Sequence, residues 1–304
     1  MATDYSQKAN KIDDRDWLVI RISWIDHVPD FSEPGSPPES LLAELPALDE
    51  KVASIPKTQT KIIEDNLPGL RQGVLHEGIY LFHKAAHTFG ASLVHVERGM
   101  CTWSLSSAYH SAYFAMKAIL CLLGVAIVES QRGNFLIDVW HTPDKHRRRK
   151  KPPVVFIYNS GKIEHGQLWA CFQRALKKTI NCESICGQLF LSHLTDLDPE
   201  QFARQRNDLH YQTNAWSCRD LHACLVQENF GKVTQTGLDF GQPDFLLALA
   251  CGLIHMGHRM IGQLGESSKP ILGEKALIDA WLNQPFNRLY RENSDIIAST
   301  LNAG

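Results

Sequence analysis

Two long apolar patterns follow one another near the middle of the chain and constrain its fold more than any other feature. From Leu70 to about Val96, apolar residues recur at spacings of three and four, which is the period of one face of an α-helix. From about Ser104 to Val125, apolar residues lie on nearly all sides of the predicted helix, which indicates that it is buried. Because the connection between them is short, we expect the two helices to pack antiparallel in a bundle.

Helical patterns return in the second half of the chain. Asp198 followed by Pro199 is a good helix start, with a capping side chain and a proline at the first helical position. This helix is predicted to run through Arg204, Arg206 and His210. The other predicted helices span about 166–179, 184–194, 244–264 and 275–301, and the stretch 217–242 between them is polar and poorly periodic.

The N-terminal part does not have the pattern of a compact domain. Residues 17–25 are rich in β-branched and aromatic side chains and predict a strand. Prolines then predict a loop over 29–46, and residues 41–55 predict a short helix that Pro46 interrupts.

A β excursion is predicted within the helical bundle. Residues 134–140 and 154–158 are strand-like, and the connection between them is expected to be a basic hairpin tip. The sequence thus divides into an N-terminal strand and Pro-rich arm (1–69), a helical bundle with a β excursion at about 130–160 (70–215), and a C-terminal helical extension (216–304).

Composition excludes several classes of protein. The 304 residues carry 31 Lys and Arg against 33 Asp and Glu, a net charge of -2, so no overall basic field attracts nucleic acid. A content of 44% hydrophobic and 21% charged residues excludes a disordered chain.

The longest apolar run, 118–128, is too short to span a membrane, and residues 1–16 have no signal-peptide core. Several of the 8 cysteines fall in apolar helical stretches, so we expect a reduced cytoplasmic protein with no disulfide framework.

Two segments taken together point to a family. The first, 106–124, is a helix of small and aromatic residues that ends in Leu-Leu-Gly; the second, 203–211, contains Arg206-Asn207 followed by His210 and Tyr211. In this order, on two helices of an α-bundle, they resemble the HEPN superfamily. The resemblance covers about residues 70–215.

The resemblance implies a mainly α, HEPN-like bundle that forms a homodimer and, in active members, a metal-independent endoribonuclease. The catalytic candidates are then Arg206, Asn207 and His210, with Arg204 as the other arginine in reach, and Tyr211 is a candidate RNA contact. RNA cleavage through the 2'-hydroxyl needs a group that moves a proton and a fixed cation beside the phosphate, which His and Arg supply. No metal or cofactor is expected. Such proteins commonly act as toxins or in antiphage defence, with an antitoxin or another partner protein.

The spacing of the motif departs from the family pattern. Active members usually have four to six residues between Arg and His, whereas Arg206 and His210 enclose three and Arg204 and His210 enclose five. On a helix, Arg206 and His210 lie about 40° apart and share a face, whereas Arg204 lies on another face. The alternative is a catalytically inactive HEPN-like scaffold in which this polar cluster serves a dimer interface or binds a protein partner or nucleic acid.

Other histidines and aromatic residues have simpler interpretations. The stripe of Tyr109, His110 and Tyr113 is typical of core packing. His83 and His87, at i and i+4, have the spacing of a metal-binding pair, but residue 84 is Lys and no His-Glu-x-x-His motif exists. Cysteines and a histidine at 182, 186, 218, 222 and 224 do not have the spacing of a known zinc ribbon or knuckle.

The basic run beside the predicted hairpin is the remaining functional candidate. Its cations are Arg147, Arg148, Arg149, Lys150 and Lys151. One interpretation is a solvated loop in which like charges repel. The other is a phosphate-binding finger for RNA or DNA.

Overall fold

The computed structural model describes residues 6–31, 46–63, 67–130, 133–182, 185, 188–211, 245–284, 287 and 290. The chain is mainly helical. Its helices are α1 Ser6–Ala9, α2 Trp17–Trp24, α3 Pro46–Ala53, α4 Leu70–Glu97, α5 Cys101–Leu122, α6 Asp144–Arg148, α7 His165–Lys177, α8 Gln188–Asp196, α9 Pro199–Tyr211, α10 Phe245–Gly265 and α11 Lys269–Leu282. Its strands are β1 Arg15–Asp16, β2 Thr60–Ile63, β3 Val125–Ser130, β4 Gly133–His141, β5 Val154–Gly161 and β6 Thr179–Ile180.

The two long central helices are confirmed. Helices α4 and α5 pack against each other along their lengths, and α10 packs on both. Gly257 of α10 lies so close to α4 that a Cβ there would come within 2.3 Å of the Phe82 ring. This close approach explains why a small residue stands at that position.

The prediction of a strand at residues 17–25 is wrong, because this segment is helix α2. Asp16 caps the helix by accepting a hydrogen bond from the backbone N–H of Leu18 at 2.9 Å. Trp17, Ile20 and Trp24 are buried at helical spacing. The Trp24 indole N–H donates to the Leu122 carbonyl at 2.8 Å. Burial of two tryptophans on one helical face therefore outweighs the β propensity of the segment.

The β excursion is larger than the predicted hairpin. It is a four-stranded antiparallel sheet in the order β2-β5-β4-β3. Strand β5 is buried throughout, as expected of a central strand. At the turn from α5 into β3, Gly124 has a φ of 83°, and a Cβ there would collide with Trp140, so only glycine fits this turn.

A buried ion pair ties the N-terminal segment to the sheet. The Arg15 guanidinium lies 2.7 Å from the Asp138 carboxylate, and the two side chains are 3% and 0% exposed. Arg15 also donates to the Leu123 carbonyl at 2.8 Å. Removing one partner of such a pair leaves a buried charge uncompensated, so the segment around Arg15 is an integral part of the fold.

The basic run differs from a simple hairpin tip. Residues 144–148 form the short helix α6, whose His146 is 4% exposed. The backbone N–H of Lys151 donates to the His146 carbonyl at 2.9 Å, and Lys150 has a φ of 52°. The buried histidine anchors the segment, while the cations at positions 145 and 148–151 are exposed.

The C-terminal helices shift relative to the prediction. The predicted helix 244–264 is confirmed as α10. The last predicted helix, 275–301, begins earlier, at Lys269, because Ser268 caps it by accepting from the Ile271 N–H at 3.4 Å and Pro270 is tolerated in the first turn. The polar stretch 217–242 and residues 291–304 lie outside the described residues. One hydrophobic core runs from Ala9 to Tyr290 through all three predicted segments, and their boundaries stay a prediction.

Helix α10 is long and apolar enough to cross a membrane. In its most apolar stretch, 78% of the residues are buried inside the protein, which is the environment of a core helix. Among the described cysteines, residues 101, 121, 171, 182 and 251 are buried free thiols. Burial raises the pKa of Cys171 and of Cys251 to about 12, so these thiols stay protonated and pack as small apolar groups.

A histidine of α10 predicts acid-sensitive stability. Burial, followed by the charges of Arg259 and His258, lowers the pKa of His255 to about 4. Because the folded pKa lies below the unfolded value of about 6.5, the stabilisation is complete above pH 6.5 and is lost as the pH falls towards 4. The shift corresponds to about 3 kcal/mol.

We expect His255→Gln to reduce the fall in the free energy of unfolding between pH 6.5 and 4, measured by urea denaturation. His110→Gln is the matched control, at a half-buried histidine of another helix. An unchanged pH dependence in His255→Gln contradicts the prediction.

Candidate functional site

The helix with the Arg-Asn…His motif begins where the sequence predicts. The helix begins at Pro199, and Asp198 is the residue before it. The Asp198 carboxylate accepts a hydrogen bond from the Glu200 N–H at 3.0 Å. Helix α9 packs against α7 and α5. Its anchor is Phe202, which is fully buried and stacks on Trp169 with ring centroids 4.1 Å apart.

Helix geometry places the three motif positions on one side of α9. Relative to Phe202, positions 206, 210 and 207 lie about 40°, 80° and 140° around the axis. The backbones of Arg206 and His210 belong to α9, and their side chains lie outside the described residues. Asn207 is exposed and borders a cleft. The motif thus occupies the sector of α9 between its buried stripe and this cleft.

The other two candidates on α9 lie further round the helix. Arg204 is exposed and donates to the Glu200 carboxylate at 2.8 Å, an i to i+4 ion pair. Tyr211 is 73% exposed. Positions 204 and 211 lie about 200° and 180° from Phe202, on the side opposite the helix anchor. The structure therefore separates Arg204 from the face that carries positions 206 and 210.

The cleft beside Asn207 has a volume of about 470 Å³. It forms where α5, the end of the sheet, the start of α7 and α9 meet. It is lined by Tyr113, Lys117, Ile127, Glu129, Asn134, Lys162, Ile163, Glu164, His165, Leu168 and Asn207. Two lysines and two glutamates line this cleft, so their formal charges cancel. Any preference of the cleft for a phosphate therefore arises from the positions of the two lysines and not from a general positive field.

A histidine that the sequence analysis did not single out lies on the cleft wall. His165, the first residue of α7, is half-buried, and its Nδ1 is hydrogen-bonded to the Tyr109 hydroxyl at 2.8 Å. Its ring stacks on Tyr113 with centroids 4.8 Å apart and an interplanar angle of 24°. The side chain is therefore fixed by a bond and a ring contact. The sequence around His165 contains no motif. The one signal that could have pointed to this residue is its position between a predicted strand and a predicted helix.

The aromatic stripe of α5 divides between core and cleft. Tyr109 is fully buried, as predicted for core packing. His110 is half-buried and bonds through Nδ1 to the Ser106 carbonyl of its own helix at 2.9 Å. Tyr113 is half-buried and borders the cleft, so core packing is only part of its role. The Lys117 ammonium lies 6.0 Å from the Tyr113 ring centroid.

The basic run is at the other end of the sheet from the cleft. Lys145, Arg148, Arg149, Lys150 and Lys151 are exposed, and the side chain of Arg147 lies outside the described residues. The cleft borders the start of β4 and the residues just after β5, whereas the basic run joins the end of β4 to the start of β5. At the rise of a β-strand, these two sites are about 25 Å apart.

The histidine pair on α4 has partners in α11. His83 Nε2 lies 2.7 Å from the Glu274 carboxylate, and His87 stacks on Trp281 with centroids 3.8 Å apart. These contacts hold α11 against α4. Among the described residues, no three His, Cys, Asp or Glu side chains are grouped as metal ligands. Of the cysteine and histidine set at 182–224, only Cys182 lies within the described residues.

In comparisons with protein-family models, curated proteins and solved structures, nothing matches this chain.

Proposed function

We propose that this protein is a HEPN-type RNA-binding protein and a metal-independent endoribonuclease that works as a cytoplasmic homodimer. The observation that carries the proposal is the position of Asn207. This residue of the Arg-Asn…His motif lies on the wall of a cleft that also holds Lys117, Lys162 and His165. A polar cluster that serves only helix packing has no need of an open cleft beside it.

The residue types at this site match the demands of RNA cleavage. Arg206 supplies a guanidinium that binds two phosphate oxygens at once, and His210 is able to move a proton near neutral pH. Asn207 supplies an amide that can hydrogen-bond a phosphate or a base edge. In this proposal the second copy of the chain brings its own motif to the same RNA, so that an acid and a base act together.

The basic run gives the protein an RNA-binding surface away from the cleft. Its exposed cations neutralise backbone phosphates without reading sequence, because no aromatic residue stands among positions 145–151 on which a base can stack. The separation of about 25 Å from the cleft corresponds to about seven nucleotides of a strand that is stacked as in a duplex, at a rise of about 3.4 Å. RNA long enough to reach both sites therefore binds more tightly than a shorter RNA.

The same features allow a second function, a catalytically inactive scaffold that binds nucleic acid or a protein partner. The short spacing between Arg206 and His210 favours it. As the family resemblance implies, the ribonuclease acts as a toxin or in antiphage defence and is restrained by an antitoxin or another partner protein. Measuring RNA binding and RNA cleavage on one preparation separates the two functions, because the scaffold binds RNA and leaves it intact.

The proposed site predicts a dimer. One α9 carries one Arg206–His210 pair, and a two-fold interface is the simplest way to supply two proton-transfer groups. We expect light scattering at micromolar concentration to give about twice the chain mass of 34.3 kDa. A monomeric mass that persists at tens of micromolar contradicts the shared site.

A further inference from the structure

We propose that the N-terminus of α4 is an anion site in which Arg71 binds the terminal phosphate monoester of an RNA strand. The choice of RNA as the carrier of this phosphate rests on the proposed function, whereas the anion site itself does not depend on it. The site lies near the end of β4 from which the basic run starts, at the opposite end of that strand from the cleft.

Arg71 is a buried cation without a carboxylate partner. The residue is 7% exposed, its Nη2 donates to the Val139 carbonyl at 3.2 Å, and its guanidinium lies 4.8 Å from the centre of the Trp140 ring. Nε is buried without a hydrogen-bond partner, and no Asp or Glu among the described residues forms an ion pair with Arg71. Arg15, which is equally buried, has Asp138 as its partner. Because a buried charge without a counter-charge is costly, a bound anion stabilises Arg71 in a way that the protein itself does not.

The first turn of α4 is a second source of positive potential. The helix is 28 residues long, its N-cap Gly69 has no side chain to accept a hydrogen bond, and its first turn holds no Asp or Glu. Leu70 and Gly73 donate their backbone N–H groups to carbonyls of the chain, which leaves those of Arg71 and Gln72 without an acceptor in the described part of the protein. The helix dipole adds a partial positive charge at this end, the usual place for a bound phosphate.

The guanidinium and the helix end are open to the same ligand. Helical side chains point towards the N-terminus of their helix, so the Arg71 side chain lies at the end that carries the free N–H groups. Pro68, Gly69 and Gln72 are exposed there. Nε of Arg71 is buried and Nη2 is bonded to Val139, so Nη1 is the nitrogen that a ligand reaches.

The titratable groups beside Arg71 leave it as the dominant charge. The His27 ring lies in the turn after α2, 5.9 Å from the Trp140 ring between centroids. Burial and then the charge of Arg71 lower the pKa of His27, and the exposed Asp26 opposes this shift only in part. His27 is therefore neutral at pH 7. Burial also lowers the pKa of Arg71, and no carboxylate among the described residues offsets this effect.

A phosphate monoester matches this site better than a phosphodiester of the RNA backbone. A monoester has three terminal oxygens and carries about 1.5 to 2 negative charges near pH 7, whereas each backbone phosphate carries one. The guanidinium fork and two backbone N–H groups supply donors for more than two oxygens. In RNA a monoester occurs only at a strand end. Val139 lies two residues before the end of β4, and the basic run follows this strand, so the next phosphates of the same RNA meet those cations.

The anion site is tested with inorganic phosphate, titrated at constant ionic strength into the full-length wild-type protein and into Arg71→Met while the melting temperature is measured. Met keeps an unbranched apolar side chain beside Trp140 and removes the charge. Phosphate also stabilises proteins in general through exclusion from their surface. We therefore expect a saturable rise in the wild-type protein and only a small, non-saturating rise in Arg71→Met. A saturable rise that persists in Arg71→Met overturns the site.

Gln72→Glu tests the site in a second way, and it decides the matter if Arg71→Met does not fold. It places a carboxylate in the first turn of α4, where the helix dipole favours it and where it competes with phosphate. We expect the Kd for phosphate to rise at least about tenfold. Gln59→Glu, the same change at an exposed glutamine before β2, should leave the Kd unchanged. No saturable rise in the wild-type protein, or a wild-type Kd in Gln72→Glu, overturns the site.

The RNA end is tested with 2'-O-methyl strands of one sequence, which lack the 2'-hydroxyl nucleophile and stay intact. A 5'-phosphate form, a 3'-phosphate form and a form with hydroxyls at both ends compete with a labelled strand in fluorescence anisotropy. We expect one phosphorylated form to bind at least about tenfold more tightly than the hydroxyl form, and Arg71→Met and Gln72→Glu to lose this advantage. Equal binding of the three forms overturns the RNA end as the ligand. Natural RNA that the wild-type protein leaves intact contradicts only the ribonuclease, so the two failures are distinguishable.

Discussion

His210→Ala and Arg206→Ala are each expected to abolish RNA cleavage while the fold stays intact. General acid–base catalysis contributes about 10²- to 10⁴-fold, and loss of a fixed cation beside the phosphate removes stabilisation of developing charge. The measurement is the single-turnover cleavage rate of a labelled RNA, with circular dichroism to check folding.

Arg204→Ala is the matched control for these variants. Arg204 already forms an ion pair with Glu200 on the exposed side of α9, away from positions 206 and 210, so its replacement should reduce the rate only slightly. The opposite order of effects, with Arg204→Ala inactive and Arg206→Ala active, would show that Arg204, with five residues between it and His210, is the operative arginine.

Replacing the five consecutive cations 147–151 with serine is expected to weaken RNA binding and flatten its salt dependence. Each phosphate contact on a single strand contributes about 0.7 to the slope of log K against log salt, so the slope should fall by about three units. The four of these side chains that the structure describes are exposed, and the melting temperature should change little. Fluorescence anisotropy at several salt concentrations gives both quantities.

A variant with three exposed lysines elsewhere replaced by serine tests whether cations outside the run contribute to the slope. These are Lys57, Lys61 and Lys269. The control should keep most of the slope, because its cations are not clustered. If the variant of residues 147–151 keeps both its affinity and its slope, the run is only a solvated segment and RNA affinity arises at the cleft.

Local patterns in the sequence predicted the elements that depend on local physics. The 3.6-residue period fixed α4 and α5 to within a few residues of the observed Leu70–Glu97 and Cys101–Leu122. The helix start at Asp198 follows from one side chain that caps its own backbone. These features need no knowledge of distant residues, and the sequence alone was sufficient.

The wrong predictions concern elements whose structure depends on contacts between residues far apart in the sequence. Residues 17–25 have strand-forming side chains, but the Trp24 indole finds its partner at Leu122, far along the chain. Only one of the four residues of strand β2 is buried. The strand forms because it pairs with β5. A local pattern cannot reveal either contact.

The cleft could not be predicted from the sequence for the same reason. Its walls come from α5, β3, β4, the start of α7 and α9, which are spread over about a hundred residues. The motif pointed to α9, and the resemblance gave roles to Arg206 and His210. His165 joins them only through the packing of α7 and α9 on α5.

The most direct test of the central claim is incubation of the purified protein with total RNA, with and without EDTA, beside His210→Ala. The proposal predicts fragments with 2',3'-cyclic phosphate ends, produced equally with and without EDTA by the wild-type protein and absent with the variant. Intact RNA in both wild-type reactions, or cleavage that EDTA abolishes, contradicts a metal-independent ribonuclease.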